Sequence, residues 1–479
     1  MTLAVRRASI IAAVVAVLLA VSLANGAIGR ASPVGPAPAS FVSASAVVPA
    51  GAGTSSWFCA GGSGPQAGGE ETVVIVNSTA APVHGTVTAI PSRGASRSVA
   101  VTVPAGGMWS VVPAQVAPGP WVSAAVEMDQ GGVGVEETVA TPLGWAETPC
   151  SSSTASSWYF ASGSTAGNDG VALSVLNPGV TAAVVDTSFA TASGAVLRPA
   201  AYQGVTVAPG SLVIEYVSDH DEGDPSFATT VTAVSGSVVA AELQSYTAAG
   251  HTGVALETGV PQPSTSWSFP LTEEISGGVV RFHVYDPGGR PARVSMSVGF
   301  AQGSASPMTV TVPAGLATTI TTERQSRLPV GTPYWVRFTS ADGVGVVVAR
   351  EVQGPSGGPA PVHGLVLGAP AGSDRWLLPS ITGPGTSPWG FAVVDLAGHP
   401  VSVRVSSAAV AAGSAPVSGS FVGPFTVDPS APRIFAAAPP SPIGLAPIVV
   451  AATGPIAVEL DPEPVAAPGV VEIPAMPIG

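Results

Sequence analysis

Short apolar runs separated by Gly- and Pro-containing turns recur along most of the chain. Four of these runs end in Asn or Asp, at Asn77, Asn177, Asp286 and Asp395. Behind each run lies a stretch in which apolar and polar residues alternate, as in residues 83–88. Because successive side chains of a strand point to opposite faces, this alternation predicts antiparallel strands with one packed face and one wet face.

A tryptophan that opens a strand marks a repeat of the same length. Trp57, Trp158, Trp267 and Trp376 follow one another at steps of 101, 109 and 109 residues. The Asn and Asp run ends keep steps of 100, 109 and 109 residues, so two independent markers give one period. A period of this length is the size of a whole domain rather than of a small solenoid repeat. The sequence therefore predicts four similar domains in tandem.

Each predicted unit closes with a hairpin whose second strand ends in a glutamate. These glutamates are Glu137, Glu242, Glu351 and Glu459, at steps of 105, 109 and 108 residues. We expect a structural role at one edge of every unit, either accepting hydrogen bonds from a turn or pairing with an arginine such as Arg350. Catalysis by these carboxylates is the alternative.

About seven short strands per unit, without helical periodicity, are typical of an antiparallel β-sandwich of the immunoglobulin-like kind. The predicted fold is therefore all-β, a tandem array of four such units after one N-terminal transmembrane helix. A propeller-like closure of the four units is the alternative. Propeller blades usually hold four strands, which is fewer than these units contain.

The predicted boundaries follow the markers and the changes in composition. They are residues 1–28 for a signal-anchor helix, 29–53 for a Pro/Ala/Ser tether, 54–150, 151–262, 263–370 and 371–461 for the four sandwich units, and 462–479 for a loose Pro-rich tail.

The N-terminal segment is apolar and uncharged. Arg6 and Arg7 precede residues 8–28, which carry no charge. A helix of that length, at ~1.5 Å per residue, spans the ~30 Å hydrocarbon layer. The positive flank keeps the N-terminus inside, so we expect a single-pass anchor in the cytoplasmic membrane and an extracytoplasmic body. A cleaved signal peptide, which would release a secreted body, is the alternative.

Composition narrows the class of protein. Gly (58) and Pro (48) are abundant, but the 46% apolar content favours folded strands over disorder. Charged residues make up 9% of the chain, the net charge is −13, lysine is missing and the arginines are scattered. Without a basic stripe to neutralise phosphates, nucleic acid is not an expected partner. The sequence also lacks phosphate-binding glycine motifs, and we expect no cofactor.

Two cysteines bracket the first unit. In an exported protein, Cys59 and Cys150 predict a disulfide, which would stabilise the fold by roughly 4–5 kcal/mol in the chain-entropy treatment. Two buried free thiols are the alternative. Two cysteines without nearby histidines are too few for a structural zinc site.

The densest acidic segment lies at residues 219–224. Its Asp219, Asp221 and Asp224 offer oxygen ligands of the kind that hold Ca²⁺ in loops, although the full twelve-residue calcium pattern is missing. A solvated turn of like charges is the alternative. The four marker tryptophans have two interpretations as well: filling a core or a domain junction, which we favour, or forming a platform for glycan stacking.

Residues 158–165 read Trp-Tyr-Phe-Ala-Ser-Gly-Ser-Thr, and Leu-Asn-Pro follows at 176–178. This pattern resembles a Trp-Tyr-Phe-Ala-Glu-Gly-type repeat of exported actinobacterial proteins, in which Glu stands where this chain has Ser162. With its cysteine pair and N-terminal apolar segment, the chain resembles the actinobacterial family of membrane-anchored secreted proteins of unknown function built from such units. The second unit matches best and the fourth least. The resemblance implies an envelope location and no reaction.

Together these features favour a non-catalytic extracytoplasmic envelope protein, a membrane-anchored scaffold or interaction module that presents sandwich surfaces to a protein partner. A glycan-binding accessory in envelope polysaccharide assembly is the alternative, and it predicts exposed Trp or Tyr in one cleft. A glycan hydrolase is less expected, since it needs two facing carboxylates ~5–10 Å apart.

Overall fold

The computed structural model describes residues 45–478, with gaps at residues 65, 248–251, 302, 324, 326, 356–362, 380–385, 409–420, 430–432, 438–446 and 465–472. The predicted anchor helix and most of the predicted tether lie outside this range. In the part of the chain that the structure describes, no helix is long and apolar enough to cross a membrane.

Unit 1 is a sandwich of two four-stranded antiparallel sheets. Its elements are β1 (Ser55–Ser63), β2 (Glu70–Asn77), β3 (Val83–Pro91), β4 (Arg97–Val103), β5 (Met108–Val111), α1 (Pro113–Val116), β6 (Val122–Met128), β7 (Val133–Thr141) and β8 (Gly144–Pro149). One sheet has the order β1-β6-β3-β4 and contains the Trp-led strand; the other has the order β5-β2-β7-β8.

Unit 2 repeats this plan with a broken outer edge. Its elements are β9 (Ser157–Gly163), β10 (Gly170–Asn177), β11 (Ala183–Thr191), β12 (Val196–Leu197), the 3₁₀ turn η1 (Ala200–Tyr202), β13 (Val205–Val207), β14 (Ser211–Tyr216), the 3₁₀ turn η2 (Val217–Asp219), β15 (Phe227–Ser235), β16 (Val239–Tyr246) and β17 (Gly253–Thr258). The sheets run β12-β11-β15-β9, with β13 also on β11, and β14-β10-β16-β17.

Unit 3 again has two four-stranded sheets, ordered β18-β23-β20-β21 and β22-β19-β24-β25. The strands are β18 (Ser266–Thr272), β19 (Val279–Tyr285), β20 (Ala292–Phe300), β21 (Ser304–Val312), β22 (Ala317–Thr321), β23 (Tyr334–Ser340), β24 (Val347–Gln353) and β25 (His363–Leu367).

In unit 4, one long strand serves both layers. The strands are β26 (Ser373–Leu378), β27 (Thr386–Asp395), β28 (Val401–Ser407), β29 (Phe421–Val427), β30 (Arg433–Ala437), β31 (Ile448–Pro464), β32 (Ile473–Pro474) and β33 (Met476–Pro477). The first part of β31 pairs with β26 and β28, and its second part pairs with β27 and β32. The two parts of β31 therefore correspond to two successive strands of the other units, such as β6 and β7 of unit 1.

The predicted alternation accounts for the layers. In β3, Val83, Val87 and Ala89 are buried between the two sheets, whereas His84 is exposed. Since apolar residues alternate in the same way in β11 and β20, each unit buries its own core. The all-β sandwich fold predicted from the sequence is confirmed.

The four units also close on one another. The last strands β8 and β17 are in contact, as are β17 and β25, β25 and β32, and β32 and β8. Apolar clusters run across the junctions, so that Trp145 of unit 1 packs in one core with Trp376 of unit 4. The array therefore has the cyclic closure of the propeller alternative, while each unit keeps two layers.

The segment predicted as a loose tail is ordered where the structure describes it. Residues 476–477 pair with the free edge of β26, and Ile478 forms a parallel bridge with the buried Val47. The prediction of a loose tail is thus wrong for residues 462–464, which extend β31, and for residues 473–478. The end of the predicted tether is packed as well. The physical reason is that an open strand edge presents unpaired N–H and C=O groups, which a short segment without alternation can still satisfy.

The same edge is covered in every unit by the segment that follows the unit. The corresponding backbone pairs, each one residue after the marker tryptophan, are Phe58–Ser151, Tyr159–Val260, Ser268–Ala369 and Leu377–Met476.

Candidate functional site

The Asn and Asp markers organise the hairpin turns. The amide of Asn77 donates to the carbonyls of Ala81 and Val103, and its Oδ1 accepts from Thr79 N at 2.8 Å. In units 3 and 4 the marker is an aspartate, which accepts from the turn but has no amide to donate. Asp286 accepts from Gly288 N at 2.8 Å, while its buried Oδ2 has no partner among the described residues.

The marker tryptophans are core residues. Their side chains are between 0% and 2% exposed. Three indole N–H groups donate to a backbone carbonyl at 2.7–2.9 Å: Trp158 to Val238, just before β16, Trp267 to Val346, just before β24, and Trp376 to Ile456, within β31. A buried indole is unavailable for stacking on a glycan, so these residues hold the two sheets of each unit together.

Each Trp-led strand of the first three units contains a β-bulge just after the tryptophan. Such a bulge takes backbone groups out of the ladder. In β1, Gly61 N donates to both carboxylate oxygens of Glu137, at 3.1 and 2.9 Å. Glu137 therefore caps the bulge from inside unit 1. The register shifts lie between Cys59 and Ser63, Phe160 and Gly163, and Phe269 and Thr272.

The four repeat-end glutamates do not occupy equivalent positions. The reference residue is Val133 in unit 1, which faces Asn77, and it is the carbonyl residue that accepts from the marker indole in units 2 to 4. Four residues after this reference, the strands carry Glu137, Glu242, Arg350 and Leu460, in the order of the units. Glu351 is one residue further and Glu459 one residue short. Because neighbouring residues of a strand point to opposite faces, Glu351 and Glu459 point out of their units, away from the side on which Glu137 and Glu242 lie.

Arg350 fills the interior position in unit 3, and Glu459 meets it from unit 4. The guanidinium is fully buried, donates to Leu271 O and Thr272 Oγ1, and forms an ion pair with Glu459 at 2.7 Å. Leu271 N donates to Glu459 at 3.1 Å. Leu271 stands four residues after its marker tryptophan, as Gly61 does, so the equivalent bulge N–H is capped here by the neighbouring unit.

Glu351 binds three cationic or imidazole groups at the junction of units 2 and 3. Its Oε1 accepts from Arg281 and from His363 Nε2, both at 2.8 Å, and its Oε2 accepts from His283 Nε2 at 2.7 Å. The His363 ring stacks on Tyr246 of unit 2. Burial alone would raise the pKa of Glu351, but the two histidine hydrogen bonds and the Arg281 charge hold it well below its usual value.

Units 1 and 2 instead contain buried carboxyl groups without cations. Burial raises the pKa of Glu137 to about 8, and burial together with the Glu137 carboxyl raises that of Glu71 well above its usual value. A second pair, Glu136 and Glu147, lies on the opposite face of the same sheet, and burial raises the pKa of Glu147 to about 7. In unit 2, burial raises the pKa of Glu242 to about 8. These acids hold protons near neutral pH.

The predicted disulfide between Cys59 and Cys150 is confirmed. Both cysteines are fully buried, and one carboxylate oxygen of Glu137 lies within 4.8 Å of their sulfurs. The bridge ties the start of β1 to the segment that leaves unit 1, beside the Phe58–Ser151 pair. It therefore fastens the segment that covers the free edge of the Trp-led strand.

The acidic loop forms one wall of a shallow cleft of about 310 Å³. Asp224 is used structurally, because its carboxylate accepts from Ala192 N and Ser226 N. Burial and the Asp224 charge raise the pKa of Asp221. In the described part of the chain, the Asp219, Asp221 and Asp224 carboxylates do not converge to within 4.8 Å as a ligand group.

Sequence reasoning missed the cluster around Glu351. Arg281, His283 and His363 lie in three positions without metal-ligand spacing, and the register of the sheet brings them onto Glu351. The one signal available in the sequence was that β19 carries Arg281 and His283 where, counted back from the Asn/Asp marker, the other units have uncharged residues.

Comparisons with known proteins give a family without an assigned activity. The family described as "Family of unknown function (DUF5719)" matches residues 132–324, from the last hairpin of unit 1 to β22 of unit 3 and the residues just after it. No curated protein matches significantly. One similar solved structure is titled "Crystal structure of tetra-tandem repeat in extending region of large adhesion protein". It is 12% identical, and the match covers 84% of this chain and 97% of that chain. The TM-score of 0.11 is too low to indicate a shared fold.

Proposed function

We propose that this protein is a non-catalytic scaffold of the cell envelope, anchored through residues 8–28, whose closed set of four sandwiches presents a fixed surface to a protein partner. The observation that supports this most is that the unit junctions are buried and specifically bonded. A linker between independent modules would leave these surfaces wet and polar.

Each junction uses its own contacts. Ser174 donates to Ala60 O across units 1 and 2, Tyr285 and Thr230 hydroxyls lie 2.7 Å apart across units 2 and 3, and the Arg350–Glu459 ion pair joins units 3 and 4. Because polar contacts of this kind fix geometry more than they add stability, they favour a body that holds its units in one arrangement.

The partner surface is sought among apolar side chains left open to solvent. Val180, at the β10–β11 hairpin, is 93% exposed, and Val234 is 59% exposed. The Leu176↔Val239 pair and the bridge between Val184 and Ser235 place both residues toward the same end of unit 2. Apolar residues near the centre of a contact supply much of its binding energy, so we propose this end of unit 2 as the contact.

The experiment is cross-linking in the native envelope with a photoreactive residue at position 179. A single protein partner captured by the native chain, and lost in Val180→Glu and Val234→Glu, supports the proposal. The matched control is Val330→Glu, a change at a side chain of unit 3 that is 60% exposed. This variant should still capture the same partner. Capture of polysaccharide in place of protein would support the glycan-binding alternative, and turnover of that polysaccharide would contradict a non-catalytic role.

The envelope location has its own test, since the anchor lies outside the described residues. The resemblance to anchored actinobacterial proteins supports a single-pass membrane protein. We expect the tagged full chain to resist alkaline extraction from membranes and to be digested by protease added outside spheroplasts. A chain lacking residues 1–28 should stay inside the cell, and release of the native protein into the medium would establish cleavage instead.

A further inference from the structure

The imidazole of His283 lies between a carboxylate and two hydroxyls at the junction of units 2 and 3. Its Nε2 is 2.7 Å from Glu351 Oε2. On the other side, its Nδ1 is 3.3 Å from Ser226 Oγ and 3.2 Å from Thr319 Oγ1. The strands that bring these groups together belong to two units, so no sequence motif announces them.

The hydrogen bonds to Glu351 fix how the His283 ring is turned. Glu351 carries one negative charge, and Arg281 balances it at 2.8 Å. His363 also donates to Glu351 through Nε2. Because a carboxylate can only accept, His283 donates to it from Nε2, and the Nδ1 lone pair of the uncharged ring faces the two hydroxyls.

Ser226 is the better placed hydroxyl. Its own N–H is held by the carboxylate of Asp224 at 3.0 Å, and its side chain is half-buried beside the fully buried Phe227. Thr319 is exposed on the edge strand β22 and carries the more hindered secondary hydroxyl. A primary hydroxyl held against an imidazole, which is itself oriented by a carboxylate, is the arrangement that activates a serine nucleophile.

We propose that Ser226 is a base-activated acyl-acceptor site, which takes an acyl group from an activated ester or thioester. Ser226 Oγ attacks the carbonyl carbon of the donor as His283 Nδ1 takes the hydroxyl proton. The tetrahedral intermediate then expels the alkoxide or thiolate, which receives that proton from His283. The products are O-acyl-Ser226 and a free alcohol or thiol. This assignment is independent of the scaffold role and would give the scaffold a site of covalent modification.

The test uses the purified full chain with p-nitrophenyl acetate and a fluorophosphonate probe, read by peptide mass spectrometry. We expect one acetyl or phosphonyl group on the Ser226 peptide and at least a hundredfold slower labelling in Ser226→Ala. Ser211→Ala, whose hydroxyl donates to Ala208 O away from His283, should label as the native chain does. Release of p-nitrophenol beyond one equivalent would overturn a stable acceptor site, because the acyl group would then leave Ser226 again.

Two further variants keep the proposal falsifiable. His283→Gln should slow the labelling of Ser226, and Thr319→Val should keep the label on Ser226. Because His283→Gln weakens a buried junction, its folding is checked by thermal unfolding, and Ser226→Ala carries the test if it fails to fold. Absence of label on the native chain, label retained in Ser226→Ala, or label found on Thr319 would each overturn the assignment.

Discussion

In the first and third Trp-led strands, the same backbone N–H donates to a carboxylate. The carboxylate belongs to the same unit in the first strand and to the next unit in the third. In unit 1, Glu137 reaches the N–H of Gly61 from within the unit and is paired with another acid, Glu71. In unit 3, Glu459 arrives from the next unit and is neutralised by Arg350. Unit 1 thus relies on buried protons, and unit 3 on a buried ion pair.

This difference teaches that a β-bulge dictates an acceptor but not its charge state. A neutral acid costs little to bury but ionises when the pH rises. An ion pair keeps its charge but suffers when either partner is removed. The buried acid of unit 1 is sensitive to a rise in pH, and the ion pair of unit 3 is sensitive to the removal of one partner. The two sites can therefore be tested separately.

The largest effect is expected from the ion pair. Arg350→Met leaves Glu459 charged and buried, so we expect the free energy of unfolding to fall by about 3–5 kcal/mol. Glu137→Gln, the matched change in unit 1, keeps an acceptor for Gly61 N and should cost less than about 1 kcal/mol. Denaturant unfolding of both variants measures the contrast, and equal losses would refute the distinction between units 1 and 3.

The disulfide gives the next effect, since unit 1 has a covalent fastening that unit 3 lacks. Replacing both cysteines by serine should lower the free energy of unfolding by about 2–5 kcal/mol. Hydrogen exchange should show the loss first in the segment after Cys150 and in β1. Unchanged exchange in β1, together with faster exchange in β18, would place the effect elsewhere in the fold.

The pH dependence should differ in sign between a buried acid without a cation, Glu242 of unit 2, and a buried acid with cationic neighbours, Glu351 of unit 3. For Glu242, whose pKa is about 8 in the fold and 4.5 as a free side chain, the stabilising contribution is complete below pH 4.5 and is lost as pH rises toward 8. At about 1.4 kcal/mol per pKa unit, this loss is on the order of a few kcal/mol. For Glu351 the lowered pKa reverses the sign, and its contribution is lost as pH falls below 4.5.

Thermal unfolding between about pH 2 and pH 9 measures both limbs. Glu242→Gln should flatten the decline on the alkaline side and leave the acid side unchanged, because the amide cannot ionise. Glu351→Gln should flatten the decline on the acid side and leave the alkaline side unchanged. An alkaline limb that persists unchanged in Glu242→Gln would mean that this acid is ionised in the folded protein.

The smallest effect concerns the turn markers. Asn177 donates its amide to Val207 O at 2.9 Å, whereas one buried oxygen of Asp286 has no partner among the residues that the structure describes, and burial raises the pKa of Asp286. We therefore expect Asp286→Asn to raise, and Asn177→Asp to lower, the free energy of unfolding at pH 7 by about 1 kcal/mol each. A destabilising Asp286→Asn would show that the aspartate is held by contacts other than the turn.

The sequence predicted where many residues of the site lie along the chain, but not which residues they contact. The spacing located the four glutamates and suggested Arg350 as a cationic partner. It could not show that Glu351 and Glu459 lie one residue out of step with Glu137 and Glu242. A one-residue difference reverses the face on which a strand side chain lies, and only the pairing register reveals it.

The sequence by itself determined the local structure: the strands, their buried faces, the four-unit repeat and the cysteine pair, because alternation and turn residues act over a few neighbours. The tertiary structure alone decided which unit meets which, that residues 476–478 cover an open edge, and that His283 meets Ser226 and Glu351. Those contacts join residues dozens to hundreds of positions apart, and their geometry depends on how whole sheets pack rather than on any local pattern.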